Sequence, residues 1–475
     1  MNLYYMKNSN RSYLLKLTLV ATLGGLLFGY DTAVISGTVS SLEHFFVLPF
    51  GLSETAASSK LGAVVSSALI GCIIGGMSGG LISKKLGRKK GLLFAALLFL
   101  LSAIGSSMPE MGIVTIGDAD HTYINIFIAY RIIGGIGVGL ASMLSPLYIA
   151  EIAPAESRGK LVSMNQFAII FGMLVVYFVN FYIAKQGDET WLQTVGWRWM
   201  FASEIIPASL FVGLLFLVPD TPRSLMLKNQ PQKALSVLEK VNGEEKANQI
   251  LEDIKNTLTA QSGHLFSYGV GVIVIGVLLS IFQQFVGINV VLYYAPEIFK
   301  SMGSGTDTAL LQTIIVGAVN LGFTILAILT VDKYGRKPLM IIGALGMAAS
   351  MFALGGTFAT KSVGVFALIC MLVYVASFAM SWGPVVWVLL SEIFPNKIRG
   401  KALAVAVAAQ WISNWIVSYT FPIMDKNTYL LEKFNHGFAY FIYGFMGIFA
   451  TFLVWKFVPE TKGKTLEEMD TLWDK

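Results

Sequence analysis

Charge is scarce in this sequence. Only 13% of its 475 residues are Asp, Glu, Lys or Arg, while 55% are hydrophobic. That balance excludes an ordinary soluble fold of this size, in which apolar residues are spread over short amphipathic elements. Histidine and cysteine are rarer still. His44, His121, His264 and His436 are scattered at loops or at the ends of apolar runs, so no metal-ligand cluster is indicated. Cys72 and Cys370 each fall inside an apolar run, in different halves of the chain, and read as packing rather than as a disulfide or redox pair. No nucleophile–base constellation is present either. We therefore expect no enzyme, no catalytic residue, no metal and no cofactor.

What the sequence has instead is long apolar runs. A helix needs roughly 20 such residues to cross a hydrocarbon core ~30 Å thick. Runs of that kind cover about 17–39, 61–82, 91–108, 122–147, 161–184 and 199–218, and then about 270–293, 309–331, 338–359, 363–390, 402–424 and 436–457. The expectation is an all-α membrane protein of twelve transmembrane helices in two six-helix halves. Lys7, Arg11 and Lys16 precede the first run, but that run is too long for a secretory signal and reads as the first span.

The net charge of +6 could suggest a nucleic-acid partner, but its distribution argues against one. Lys84, Lys85, Arg88, Lys89 and Lys90 lie between runs 2 and 3, and Arg158 and Lys160 between runs 4 and 5. Lys333, Arg336 and Lys337 lie between runs 8 and 9, and Lys397, Arg399 and Lys401 between runs 10 and 11. The loops on the other side carry mostly acids, among them Glu43, Glu54, Glu110, Asp188, Glu297, Asp307 and Asp425. Positive loops stay inside, so both termini are expected in the cytoplasm and the bilayer is the partner that the basic residues serve.

The chain also repeats itself. EIAPAESRGKL from Glu151 returns as EIFPNKIRGKA from Glu392, 241 residues later. VPDTP from Val218 returns as VPETK from Val458, and GRKK from Gly87 as GRKP from Gly335. Three motifs in one order at nearly one offset imply a duplication. The expected division is an N-terminal six-helix half over 1–220, a cytoplasmic helical linker over 221–266, a C-terminal half over 267–458 and a cytoplasmic tail over 459–475.

Several residues resist this apolar setting. Asp31, Arg131 and Glu204 sit inside spans, where each costs about 2.5–3.5 kcal/mol at the bilayer centre and therefore needs a cavity or a partner. Asp31 with Arg131 reads either as a static buried pair or as one that a proton can open. Gln166, Gln283, Gln284, Asn289, Asn320 and Gln410 add amides to the spans, which suit a neutral polyol because they both donate and accept. A single intramembrane amide is commonly glue between helices; several on both halves, interleaved with Phe28, Tyr293, Tyr294, Trp387 and Trp411, point to a ligand site. Gly287, between Gln284 and Asn289, would let the seventh helix break there.

At the basic loops, GGLISKKLGRKKG with Arg88 and VDKYGRKP with Arg336 read as breakable locks; the alternative is topology alone. Glu151 with Arg158, and Glu392 with Arg399, stand seven apart across proline-bearing corners and are expected to pair when that side is closed. The glycine strings Gly71, Gly75, Gly76, Gly79, Gly80 and Gly134, Gly135, Gly137, Gly139 follow small-residue spacing and predict close helix packing rather than a nucleotide loop.

LVATLGGLLFGYDTAVISGTV, RIIGGIGVGLASMLSPLYIAE, GVGVIVIGVLLSIFQQFVGINVVLYYAPE and SWGPVVWVLLSEIFPNKIRGKALA make the chain resemble the sugar-porter family of the major facilitator superfamily over nearly its whole length, and within it the proton-coupled carriers of xylose. The resemblance implies alternating access by a protein that works as a monomer in a bacterial inner membrane, with a monosaccharide and a proton as its partners. It marks Gln166, Gln283, Gln284, Asn289, Trp387 and Gln410 as sugar contacts, and Phe28, Met173, Tyr293, Asn320 and Trp411 as further candidates. It marks Asp31 as proton carrier, with Arg131 and Glu204 assisting. Met173 departs from the pattern, since the xylose carriers have Gln there and glucose facilitators an apolar residue; glucose or another aldose, by symport or by uniport, is thus the alternative.

Overall fold

The computed structural model describes residues 8–154, 157–258, 264–395 and 397–462. The expected tail beyond Lys462 and linker residues 259–263 lie outside them. Among the described residues there is no strand, and twelve helices are long and apolar enough to cross a membrane. In chain order the spans are 1, Arg11–Gly37; 2, Glu54–Leu86; 3, Arg88–Ser107; 4, His121–Ile152; 5, Arg158–Ala184; and 6, Glu189–Phe216. Then follow 7, Gly271–Tyr293; 8, Thr306–Val331; 9, Arg336–Ala359; 10, Val365–Ile393; 11, Arg399–Asp425; and 12, Phe438–Phe457. The twelve spans fall where the apolar runs predict them, as two sets of six, and this is a multi-pass membrane protein.

Between the two sets run three short helices, Pro222–Leu227, Pro231–Asn242 and Glu244–Leu258. Ala234, Val237, Leu238 and Val241 lie on one face of the second and are buried, while its charged residues stay in water. The second helix also packs against span 1.

Glycine sets the tightest packing. A Cβ on Gly135 of span 4 would lie 1.8 Å from the Ala68 carbonyl of span 2, and one on Gly71 would lie 2.0 Å from the Ile132 carbonyl. The two backbones therefore meet with no room for a methyl group. Dispersion between backbones replaces the hydrophobic driving force that lipid cannot supply.

Three spans are interrupted, two of them for a plain local reason. Span 7 stops at Phe285 and resumes at Ile288, with Gly287 at φ +92°, a conformation that β-carbons disfavour. Span 6 is helical over Trp197–Ala202 and Ile205–Phe216, with a turn at Ser203 and Glu204. Pro207 has no N–H to give the Ser203 carbonyl four residues back, so the ladder fails there. Span 10 breaks at Ser381, between Val365–Met380 and Trp382–Ile393.

The bundle has a basic end, at the loops between spans 2 and 3, 4 and 5, 8 and 9, and 10 and 11, and an opposite acidic end. Polar contacts between the two sets of spans occur towards the acidic end. Lys426 pairs with Glu43, Thr428 donates to Glu54, and the Ser59 and Tyr419 hydroxyls are 2.6 Å apart. Deeper in, the Tyr177 hydroxyl donates to the Leu292 carbonyl at 3.0 Å, bringing span 5 against the break in span 7.

Candidate functional site

Asp31 and Arg131 meet at the middle of the first six spans. Arg131 Nη1 is 2.7 Å from Asp31 Oδ1, and Nη2 donates to the Asp31 carbonyl at 3.1 Å, with both side chains at most 1% exposed. The pairing is incomplete. Asp31 Oδ2 and Arg131 Nε are buried with no hydrogen-bond partner among the described residues, and so are both carboxylate oxygens of Glu204, which faces Asp31. A fully satisfied pair would be a rigid strut. This one keeps an open oxygen beside a second carboxyl, an arrangement that can accept a proton.

The amides form a chain in the other set of spans. Gln410 of span 11 donates to Gln283 Oε1 at 2.7 Å, and Gln284 Nε2 lies 3.5 Å from the same oxygen. Asn289, beyond the helix break, donates to Gln284 at 2.5 Å. Gln283 in turn donates to the Trp382 carbonyl at 2.8 Å and the Gly383 carbonyl at 3.3 Å, which ties the broken span 7 to the broken span 10. Gln410 Oε1 is buried and unpartnered among the described residues.

Facing the chain, Phe28 of span 1 contacts Trp411 with ring centroids 5.6 Å apart, so an aromatic surface joins the two halves there. Met173 is buried in span 5, where a Cβ on Gly29 would reach its backbone nitrogen at 3.1 Å. Gln166, Asn320 and Trp387 make no hydrogen bond to the amide chain among the described residues. Asn320 is buried and the other two are half-buried. Asn414 was not picked out in the sequence; it donates weakly to the Tyr293 hydroxyl at 3.4 Å and accepts from Ser418. Its only signal was one more amide, a helical turn beyond Gln410.

At the basic end the two corner carboxylates are held by Arg88 and Arg336. Glu151 pairs with Arg88 at 2.7 Å, not with Arg158, and accepts the Thr221 hydroxyl at 2.6 Å. Arg158 opens the next helix and turns back to the Ala153 carbonyl at 3.5 Å, capping the end of the span it follows. The second set of spans repeats this. Arg336 grips Glu392 with two nitrogens at 2.8 and 3.2 Å, Thr461 donates to the same carboxylate at 2.5 Å, and Arg399 Nε donates to the Phe394 carbonyl at 3.1 Å. The breaks after Ile152 and Ile393 send the arginine seven residues on along a new axis, and the guanidinium that meets each carboxylate comes from the first residue of the preceding span.

Asp220 and Glu460, in the repeated VPDTP and VPETK, were missed as site residues. Asp220 Oδ1 accepts the backbone N–H of Arg88 and of Lys89, each at 3.1 Å, at the start of span 3. Glu460 does the same for Arg336 and Lys337 at span 9, at 3.1 and 3.0 Å. Burial alone would raise the Asp220 carboxyl, but Lys228, Ser224 and the Lys89 N–H outweigh it and hold it below the usual range. For Glu460 burial is likewise outweighed, here by the N–H groups of Lys462, Arg336, Lys337 and Thr461. An anion at a helix N-terminus is favoured by unpaired N–H groups and the helix dipole together. The signal was available: a motif repeated with its acid conserved in charge.

At the acidic end a cavity of about 210 Å³ is lined by Glu43, Tyr294, Phe421, Asp425, Lys426 and His436. His436 Nδ1 lies 2.9 Å from Asp425, and that hydrogen bond, working against burial, raises its pKa. A raised pKa means that the contact stabilises the fold fully below the ordinary imidazole range and is lost as pH rises through the folded value. Thermal unfolding in detergent between about pH 6 and about pH 9 should therefore show a decline that His436→Gln flattens; parallel curves for the two proteins would refute the assignment.

The profile of the family described as sugar (and other) transporter matches residues 17–473. The chain is 63% identical to the D-xylose-proton symporter of Escherichia coli (strain K12), over 98% of this chain and 96% of that protein. It is 42% identical to the glucose facilitated diffusion protein of Zymomonas mobilis, over 98% of each. Among solved structures, the inward-open conformation of the Escherichia coli xylose transporter superposes with a TM-score of 0.88 at 61% identity, covering 97% of this chain and all of that one. The proton:xylose symporter bound to 6-bromo-6-deoxy-D-glucose superposes with a TM-score of 0.85 at 63% identity, covering 98% of this chain and all of that one. By sequence and by architecture alike, this chain belongs to the sugar transporter family of the major facilitator superfamily.

Proposed function

We propose that this protein imports a monosaccharide, D-xylose first, together with a proton across a bacterial inner membrane. It works by alternating access, as a monomer, with its basic end and both termini in the cytoplasm. The observation that carries the reading is the half-satisfied pair of Asp31 and Arg131, buried beside Glu204 and a chain of carboxamides. Gln283, Gln284, Asn289 and Gln410 hold the sugar from the C-terminal half, with Trp387 and Asn320. Gln166 meets it from the N-terminal half, and Phe28, Tyr293 and Trp411 cover its C–H faces. The contacts of Lys426, Thr428 and Tyr419 with the N-terminal half seal the outer end, as an inward-facing state requires.

The cycle follows. A proton on Asp31 weakens its hold on Arg131, the two halves rock about the sugar, and loss of the proton inside restores the pair. The pairs of Arg88 with Glu151 and Arg336 with Glu392 each lie within one half, so in place of the breakable locks expected from the sequence they keep each half rigid at the cytoplasmic end during that motion. The driving force is adequate. One charge moving through 100 mV supplies about 2.3 kcal/mol and each pH unit about 1.4, together enough for accumulation of several-hundred-fold.

Met173 favours a second substrate. An apolar side chain beside the site removes one hydrogen bond, worth ~1 kcal/mol, that a carboxamide would give xylose, and glucose is the aldose to test beside it. Reconstituted vesicles with an imposed inward proton gradient and a panel of labelled pentoses and hexoses test the whole reading. D-xylose should accumulate above the outside concentration and collapse on adding a protonophore. Equilibration that ignores the protonophore would make the protein a facilitator.

A further inference from the structure

Tyr30 precedes Asp31, and Ser203 precedes Glu204. The hydroxyls of Tyr30 and Ser203 are 2.7 Å apart. Ser203 Oγ spends its own proton on the Met200 carbonyl at 2.6 Å, so Tyr30 is the donor between them. Each member of this bond is therefore the chain neighbour of one member of the carboxyl pair, and the bond joins span 1 to the turn that interrupts span 6.

That turn is where Glu204 most needs outside support. Because Pro207 cannot bond the Ser203 carbonyl, the nearest backbone donor is the Ile206 N–H at 3.4 Å. The Glu204 N–H reaches the Phe201 carbonyl in a tighter three-residue step of 3.2 Å. Among the described residues neither Glu204 carboxylate oxygen meets a partner at hydrogen-bond geometry, and the group it faces is the Asp31 carboxyl. Arg131 of span 4, Cys72 of span 2 and Tyr293 of span 7 face the carboxyl pair, and Ser102 of span 3 lines the same spot at Gly134.

We infer that Tyr30 and Ser203 are positioning residues, whose bond sets the separation of Asp31 and Glu204 and so the pH range over which the protein couples protons to sugar. This rests on the coupling reading above. Two carboxyls held close disfavour charge on both at once; allowed to drift apart, they lose that repulsion.

The test is the pH profile of gradient-driven D-xylose uptake in vesicles, for the parent, Tyr30→Phe, Ser203→Ala, the double variant and Ser203→Thr. Thermal unfolding confirms that each is folded. The alkaline limb should move to lower pH by at least about half a unit in Tyr30→Phe and Ser203→Ala, with no further shift in the double variant. Ser203→Thr, which keeps the hydroxyl, should restore the parent profile. Uptake reduced by one factor at every pH, or single shifts that add in the double variant, would overturn the inference and leave coupling standing. A parent whose uptake ignores the proton gradient would overturn the coupling reading and this inference with it.

Discussion

Vesicles carrying Asp31→Asn should take up sugar downhill and exchange labelled for unlabelled sugar, yet accumulate none against a gradient. Asn keeps the size and the acceptor oxygen that Arg131 Nη1 meets at 2.7 Å in the parent, so helix packing around the pair survives. What it cannot do is gain and lose a proton. Arg131 then faces a neutral partner permanently, the condition that the proposed cycle reaches only when a proton is aboard. The loss should be complete rather than partial, because the gradient reaches the sugar through that one titration. Accumulation by the variant at even a tenth of the parent's ratio would remove Asp31 from the coupling role and turn attention to Glu204.

Replacing Gln283 by Leu should raise the D-xylose dissociation constant by roughly 100-fold. Its amide serves Trp382, Gly383 and Gln410 at once. Leu is close in size but strands the Gln410 donor and deletes a proposed sugar contact. The stranded Gln410 donor costs stability with or without sugar, so affinity falls through the sugar hydroxyl left unpaired in the complex; such a group costs about 1–3 kcal/mol, and two orders of magnitude correspond to about 2.7. Tryptophan fluorescence on sugar addition reads this directly, since Trp387 and Trp411 belong to the same proposed site. Unchanged affinity in a folded Gln283→Leu protein would place the sugar elsewhere.

The parts of this molecule that could be read in advance are those written in local composition. Twelve apolar runs became twelve spans because hydrocarbon imposes a minimum length on any crossing helix. The break in span 7 was legible from Gly287, whose positive φ only glycine takes without strain. Asp31 and Arg131 were legible as partners because few charges exist in the spans to choose from.

Tertiary choice was not legible. Glu151 had two arginines to choose between, and the nearer in sequence, Arg158, is not the one it holds; Arg88 comes from 63 residues earlier. The bond between Tyr30 and Ser203 crosses 173 residues, and nothing in either neighbourhood names the other. Pro207 accounts for the interruption of span 6, but it says nothing of what would brace the gap.

The contacts of Lys426, Thr428 and Tyr419 with the N-terminal half have one more consequence. They lie in or near water, where each hydrogen bond or ion pair contributes on the order of 1 kcal/mol or less. Losing one of these contacts biases the ratio of the two mouths by that amount, and a bias of about 1.4 kcal/mol already changes it tenfold. Evolution can therefore retune which side waits open by exchanging a single surface residue, far from anything the cargo touches.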